Sequence, residues 1–392
     1  RALPVAKAGL QGSAAQRRCV AGVAVELTTL TDGGQNPADV AREIAAFVHG
    51  ARESLELALY DIRVESAAGA LVLAALLDAQ QRGVAVRLLF DVDHPGPVAV
   101  PPPPESTPDA IEALPVDTRG VAGVPDLMHH KFAVRDRRDV WAGSTNWTDD
   151  SWSRQENVVV RVLGVAGIAR AYGLAFEQLW NGGTVQGAGR VEPRPVDMDG
   201  HELRAWFCPG YGEALSHRIA KFLGRARARI RVASPVLTSG PILGTLVEIV
   251  KERRCDVAGV LDATQVADVF RQWRTNGVSA WKIPLLTQVL QGAPFSGKNS
   301  TPWSPSSLHD FMHAKVVVAD DVVFVGSFNL SRSGERNAED VLEIHDGGLA
   351  GRLAEYIDEV RARYPRATAP SEEGAARAAP GRDREGAAAL PG

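Results

Sequence analysis

Asp126-Leu127-Met128-His129-His130-Lys131 and Asp310-Phe311-Met312-His313-Ala314-Lys315 are one pattern written twice in a chain of 392 residues. Asp136, Gly143-Ser144-Thr145-Asn146 and Glu156 follow the first copy. Asp320, Gly326-Ser327-Phe328-Asn329 and Glu339 follow the second, in the same order. His129 precedes Asn146 by 17 positions and His313 precedes Asn329 by 16, while each Asn precedes its Glu by 10. Paired across a pseudo-twofold axis, the two copies bring two histidines to one site. One imidazole that attacks and one that donates a proton suit phosphodiester chemistry without a metal.

Around each motif the local pattern is that of a strand. Met128, His130, Phe132 and Val134 fall on one face, and His129, Lys131 and Ala133 on the other. The one-residue gap places imidazole and ammonium side by side, roughly 6.6 Å apart along the strand. His313 and Lys315 repeat the arrangement. Asn146 and Asn329 each follow a Gly-Ser turn, where Ser144 and Ser327, amide side chains and backbone N–H groups are expected to meet phosphoryl oxygens.

The scaffold repeats as well. Phe47-Val48, Ala51-Arg52 and Leu55-Glu56-Leu57 align with Phe222-Leu223, Ala226-Arg227 and Ile230-Arg231-Val232. Leu89-Phe90-Asp91 parallels Val260-Leu261-Asp262. Asn36-Pro37 starts a helix with the apolar stripe Val40, Ile44, Phe47 and Val48. An alternating strand at Leu55, Leu57 and Leu59, a helix over about 67–81 and a strand over Val84 to Phe90 complete a β-α-β unit. The expected fold is α/β: two similar α/β/α lobes from an internal duplication, with mixed β-sheets and an active site between them. The expected division is a loose arm over 1–20, lobe 1 over 21–181, a linker over 182–203, lobe 2 over 204–366 and a disordered tail over 367–392.

The duplicated His-x-Lys, four residues, Asp, with a downstream Gly-Ser-x-Asn, resembles the phospholipase D superfamily. His129, Lys131 and Asp136 match that hallmark, as do His313, Lys315 and Asp320. The resemblance runs over roughly residues 20–365. It implies a phosphohistidine on the first-copy histidine, His129, with His313 as the acid. Sequence symmetry alone does not decide between them. Lys131, Lys315, Asn146 and Asn329 would then hold the charge on the non-bridging oxygens. Glu156 and Glu339 are expected to orient the histidines through the second ring nitrogen, as the acid of a catalytic triad does. Asp136 and Asp320 are expected in the site or as anchors of the motif. No cofactor and no metal are called for.

Rival readings of single residues are weaker. His309, Asp310 and His313 have the spacing of a zinc helix, but a strand-like run follows His313 and the first copy has no counterpart of His309. His130 reads as a packing residue and Trp147 as either core or substrate entrance. Asp91, Asp93 and His94 end a strand and read as structural first, cleft second. The prolines of Pro95 to Pro108 mark a loop, read as a plain surface connection first and as a border of the cleft second. Trp281 to Ser307 is an apolar insertion, read either as a mobile lid that meets lipid or as a packed loop.

A net charge of −4 and a pI near 6.2 supply no global basic field, which weighs against a non-specific nucleic-acid enzyme. The arginines at 225, 227, 229 and 231 read as solvated surface rather than a nucleic-acid stripe. Cys19, Cys208 and Cys255 do not make a disulfide framework. No run reaches the 18 or more apolar residues of a membrane span. A soluble protein is expected; Arg1 in place of Met and the faint cleavage-site echo Ala6-Lys7-Ala8 leave its compartment open, with a lean toward secretion or the cell envelope. The leading expectation is an enzyme that cleaves or exchanges phospholipid headgroups, touching a membrane surface peripherally and needing no obligate oligomer. A metal-independent nuclease or other phosphodiesterase is the alternative. A non-catalytic binding protein is a third reading, disfavoured by the two intact motifs.

Overall fold

The computed structural model describes residues 24–92, 108–122, 126–302 and 307–370. The expected N-terminal arm, nearly all of the proline-dense loop and most of the C-terminal tail lie outside these residues.

The first half runs β1 (Ala24–Leu30), α1 (Pro37–His49), β2 (Ser54–Leu59), α2 (Gly69–Gln81), β3 (Ala85–Val92), α3 (Pro108–Glu112), β4 (Asp117–Ala122), β5 (Lys131–Arg135), β6 (Asp139–Gly143), α4 (Asp149–Ser153), β7 (Asn157–Leu163) and α5 (Ala166–Gly182). The second runs β8 (Val196–Met198), β9 (His201–Phe207), α6 (Gly212–Arg225), β10 (Arg229–Ala233), α7 (Gly240–Glu252), β11 (Asp256–Asp262), α8 (Ala263–Asn276), α9 (Lys282–Gly292), β12 (Phe295–Lys298), β13 (Val316–Ala319), β14 (Val322–Gly326), α10 (Arg332–Arg336), β15 (Asp340–His345) and α11 (Gly347–Arg363). Asn36 caps α1 by accepting from the Ala38 N–H, and Pro37 occupies the first helical position.

The duplication is written in the sheet order. One sheet is β1-β7-β6-β5-β2-β3-β4, and the other is β12-β11-β10-β13-β14-β15-β9-β8. Read backwards from β9, the second repeats the first strand for strand, with β8 added at its edge. Both sheets are mixed: β2 and β3 pair in parallel while β5, β6 and β7 run antiparallel, and β10, β11, β13, β14 and β15 do the same.

Helices α1 and α2 cover the outer face of the first sheet, and α6, α7 and α9 that of the second. Between the sheets lie α5 and α11. Ile168, Tyr172, Phe176 and Leu179 share one core with Leu349, Leu353, Tyr356 and Ile357. That core also takes Phe132 and Val160 from one sheet and Val318 and Leu342 from the other. The lobes are therefore welded along their inner faces.

This weld changes the reading of the connecting segment. Val185, Ala188 and Val191 are buried in the shared core, and residues 196–203 form β8 and the start of β9. What polarity marked as linker is partly the edge of the second sheet. The packed-loop reading of the insertion also prevails over the lid. Its α9 buries Leu286, Val289 and Leu290, and β12 extends the sheet beside β11. Residues 303–306 of the insertion lie outside the described residues. Beyond α11, the Ala367 N–H donates to the Phe295 carbonyl, so the ordered chain continues past the expected boundary.

Candidate active site

Both motif strands begin later than alternation predicts, at Lys131 and Val316. The residues just before them cross to the other lobe instead. Met128 bridges Ala338, and the His129 N–H donates to the Ala338 carbonyl at 2.9 Å. Met312 bridges Glu156, and the His313 N–H donates to the Glu156 carbonyl at 3.1 Å. Asp91 and Asp262 brace these crossings by accepting the N–H groups of Met128 and Met312. Each histidine is thus pinned to the opposite half, and His129 and His313 line one cavity of about 320 Å³.

Lys131 and Lys315 are buried beneath their histidines, and each ammonium donates to the carbonyl of the histidine two residues back, at 2.7 and 2.6 Å. Burial drives the Lys131 pKa down to about 7 and holds that of Lys315 well below the ordinary lysine range. Burial, followed by the two ammonium groups, holds both imidazoles well below their usual range. A bound anion would favour the charged form of both lysines. Asn146 and Asn329 line the same cavity, and the Oδ1 of each is buried without a hydrogen-bond partner among the described residues. Each Oδ1 is an acceptor that suits a donor, and only the amide NH2 of each asparagine could donate to an anion in this concave space.

The Gly-Ser turns build this floor from below. A side chain at Gly143, whose φ is +137°, would strike the Val158 carbonyl, and one at Gly326 the Asp340 carbonyl. Ser144 and Ser327 do not reach the cavity. Ser144 Oγ donates to Asn157 Oδ1 at 2.7 Å and accepts from the Val158 N–H; Ser327 Oγ accepts from the Asp340 N–H. They orient the groups behind the histidines, which corrects their expected place on phosphate. Asp136 and Asp320 also stand away from the cavity. Each adopts a φ of 52° and gathers three backbone N–H groups, from Arg52, Glu53 and Ser54 or from Arg227, Ala228 and Arg229. They anchor the turn before β2 and before β10.

The expected pair of glutamates behind the histidines holds for one lobe only. Glu339 Oε2 lies 2.8 Å from His129 Nδ1, and burial pushes the Glu339 carboxyl up to about 7. Behind His313 stands Asn157, with Oδ1 at 3.1 Å from Nδ1. One extra residue between α4 and β7 shifts the first copy: Asn157 occupies the place of Glu339, and Glu156 that of Ala338. The Glu156 carboxylate turns away to accept from Lys298 Nζ at 3.0 Å and from the Tyr364 hydroxyl. Lys298, on β12, also donates to the Arg154 carbonyl and pairs with Asp32. Glu156 therefore ties lobe 1 to lobe 2 and orients no histidine.

The remaining expectations resolve simply. His130 faces the shared core, with Nδ1 3.0 Å from Asp340 Oδ1, and Tyr172 donates to the same carboxylate. Trp147 is fully buried core. Asp93 and His94 lie outside the described residues. His309 lines the cavity and stacks on Phe311 at 5.6 Å. Arg231 is buried between Asp256 and Asp358 rather than displayed on a basic surface. Among the described residues, Glu202, Glu343 and His345 bring three possible metal ligands together, but Arg218 already pairs with Glu343 at 2.6 Å. No described helix is long and apolar enough to cross a membrane.

Sequence reading missed Tyr60, Asp61 and their counterparts Pro235 and Val236, all of which line the cavity. Ile62 bridges Trp147 and Leu237 bridges Leu330, so the chain just past β2 and β10 is laid along each asparagine segment. The signal was present in Leu59-Tyr60-Asp61, a polar residue directly after an alternating strand.

Comparison with known proteins agrees with this architecture. A family model described as "Cardiolipin synthase, PLD-like domain" matches residues 44–180 and 219–361, and the chain belongs to that family. The match covers both lobes, as the duplication requires. A mitochondrial cardiolipin hydrolase of Xenopus laevis is 36% identical over 136 residues, 33% of this chain and 56% of the relative. A phospholipase D of Rickettsia felis is 31% identical over 125 residues, 32% of this chain and 56% of the relative. The chain thus spans about half the length of the curated relatives it matches. The phosphatidylserine synthase structure from Haemophilus influenzae Rd KW20 shares the fold, with a TM-score of 0.59 at 14% identity and 86% of each chain covered.

Proposed function

We propose that this chain is a phospholipase D-type phosphodiesterase that cleaves phospholipid headgroups through a phosphohistidine on His129, and that it also passes the phosphatidyl group to alcohols. The observation that carries the reading is the single cavity lined by His129, His313, Asn146 and Asn329, with Lys131 and Lys315 buried beneath the histidines.

The unequal partners of the histidines support the division of roles. Nucleophilic attack puts positive charge on the attacking imidazole and keeps it there until the intermediate is resolved. The Glu339 carboxylate neutralises that charge on His129. The other imidazole must release its proton to the leaving alcohol, then take one back from water or an incoming alcohol. Asn157 fixes the His313 tautomer by accepting from Nδ1–H but does not trap a proton on the ring as a carboxylate would. Lys131, Lys315, Asn146 and Asn329 stabilise the charge on the non-bridging oxygens. Water or alcohol then resolves the same intermediate, so hydrolysis and exchange share one site.

Peripheral contact with a lipid surface fits the rim, where Leu308, 51% exposed, adjoins His309. The test is a rapid acid-free quench during turnover of dispersed phospholipid, followed by digestion and mass spectrometry. Phosphatidyl or phosphate on His129 is the expected result. Label on His313 alone would reverse the roles, and label on neither would remove the covalent mechanism.

A further inference from the structure

The two lobes present different chemistry to the same cavity at equivalent positions. Asp136 anchors Ser54 as Asp320 anchors Arg229, and Ile62 corresponds to Leu237 across the two asparagine bridges. By that register, Tyr60 matches Pro235 and Asp61 matches Val236. One wall therefore carries a carboxylate where the other carries an isopropyl group. We infer that Asp61 recognises a cationic amino-alcohol headgroup, and that Pro235 and Val236 face the apolar side of the phosphodiester. The inference rests on the proposed lipid phosphodiesterase activity and names the headgroup that the site prefers.

Asp61 is 3% exposed, yet it lines the cavity between Tyr60 and Asn146. Its carboxylate accepts from Arg63 Nε at 3.2 Å. Arg63 sits outside the catalytic cavity, in an adjoining one of about 350 Å³ that shares Asp61, Thr148 and His309. That second space continues to Glu65, Asp149 and Asp150. Its carboxylates, Asp61, Glu65, Asp149 and Asp150, outnumber its one guanidinium, Arg63, although Arg154 also pairs with Asp150. A second phosphate, as in a polynucleotide or a doubly anionic lipid, meets repulsion there. An ammonium meets a buried carboxylate, the unpartnered Oδ1 of Asn146 and the ring of Phe311. Burial raises the Asp61 carboxyl above its usual range, and a bound cation stabilises its charged form.

The experiment uses the full chain and detergent-dispersed phosphatidylcholine, phosphatidylethanolamine and phosphatidylglycerol, measured separately. The cationic headgroups should exceed phosphatidylglycerol in kcat/KM by about ten-fold or more, the size expected for one charge-assisted contact. Asp61→Asn should collapse that ratio toward one, mainly through KM. Arg63→Ala, which removes the competing guanidinium, should widen it. Choline should inhibit cleavage of a chromogenic phosphodiester competitively in the wild type and much less in Asp61→Asn. Equal kcat/KM for the three lipids, or a ratio that Asp61→Asn leaves intact, overturns the inference. Cleavage of the chromogenic diester with no lipid cleaved overturns the lipid reading instead, and choline inhibition then still decides the role of Asp61.

Discussion

Strand for strand the two lobes are copies, but side chain for side chain their contributions to the cavity are not. Lobe 1 gives His129, Tyr60 and Asp61, while lobe 2 gives His313, Pro235 and Val236. Behind the histidines the inequality is reversed, because lobe 2 supplies the carboxylate Glu339 and lobe 1 the amide Asn157. The groups proposed to hold the phosphate, two lysines and two asparagines, stay matched. Charge on the phosphoryl oxygens is spread almost evenly, so symmetric donors serve it. Proton traffic and the two alcohols of the diester are intrinsically unequal, and there the copies have diverged.

Removing one histidine at a time tests the comparison most sharply. His129→Asn should lower phospholipid turnover by about 10⁶-fold, the scale of losing a covalent nucleophile. His313→Asn should cost about 10⁴-fold on phospholipid. With a p-nitrophenyl diester, whose leaving group needs no proton, the His313 variant should release one burst of product per chain and then stall. The His129 variant should give no burst. A burst from His129→Asn would show that the amide-backed imidazole is the nucleophile. Lys131→Met and Asn146→Ala should each cost about 100- to 1,000-fold in kcat, with Lys315 and Asn329 giving similar losses. A strong imbalance between matched donors would show that the phosphate sits off the pseudo-twofold axis.

How far these positions were legible depends on what each residue type is asked to do. The duplication fixed the strand order, and with it the meeting of His129 and His313, because two like sheets bury like faces. Asp136 and Asp320 announced an anchor but not its place, since three backbone N–H groups from a distant turn leave no mark in local spacing. The Asn-to-Glu interval of 10 in both copies misled. Backbone pairing, not side-chain identity, sets the register of β7 and β15, and a single extra residue before β7 put Asn157 where a glutamate was expected. Asp61 was hidden differently: only the folded pairing of residues 61–63 with Trp147 reveals that it lines the cavity.

The glutamates and their neighbours form the next comparison. Glu339→Gln should lower kcat by about 100-fold or more with little change in melting temperature. Glu156→Gln should do the reverse, because it breaks the link to Lys298 rather than the support of a histidine. Asn157→Asp places a carboxylate behind His313 and raises its pKa. The protonated acid then survives to higher pH, so the basic limb of kcat should move upward, while its return to the neutral base is slowed at low pH. An unmoved basic limb, read from a kcat–pH profile, would show that His313 does not donate the proton.

The smallest effects on rate belong to the most faithfully copied pair. Asp136→Asn and Asp320→Asn should leave kcat within a few-fold and cost about 1–3 kcal/mol each in unfolding free energy, toward the lower end because both residues are only partly buried. Burial acts to raise these carboxyls, but three backbone N–H groups outweigh it and hold each below the usual Asp range. Their stabilisation is therefore complete above the unfolded-state pKa and fades as pH falls through the folded-state value. Urea midpoints measured from neutral to acid pH should show a shallower acid-side decline in either variant than in the wild type. Equal losses from the two variants would mark the anchor as a scaffold element kept in both copies. A much larger loss at Asp320 would mean that lobe 2, with its inserted α8 and α9, depends more on its anchored turn.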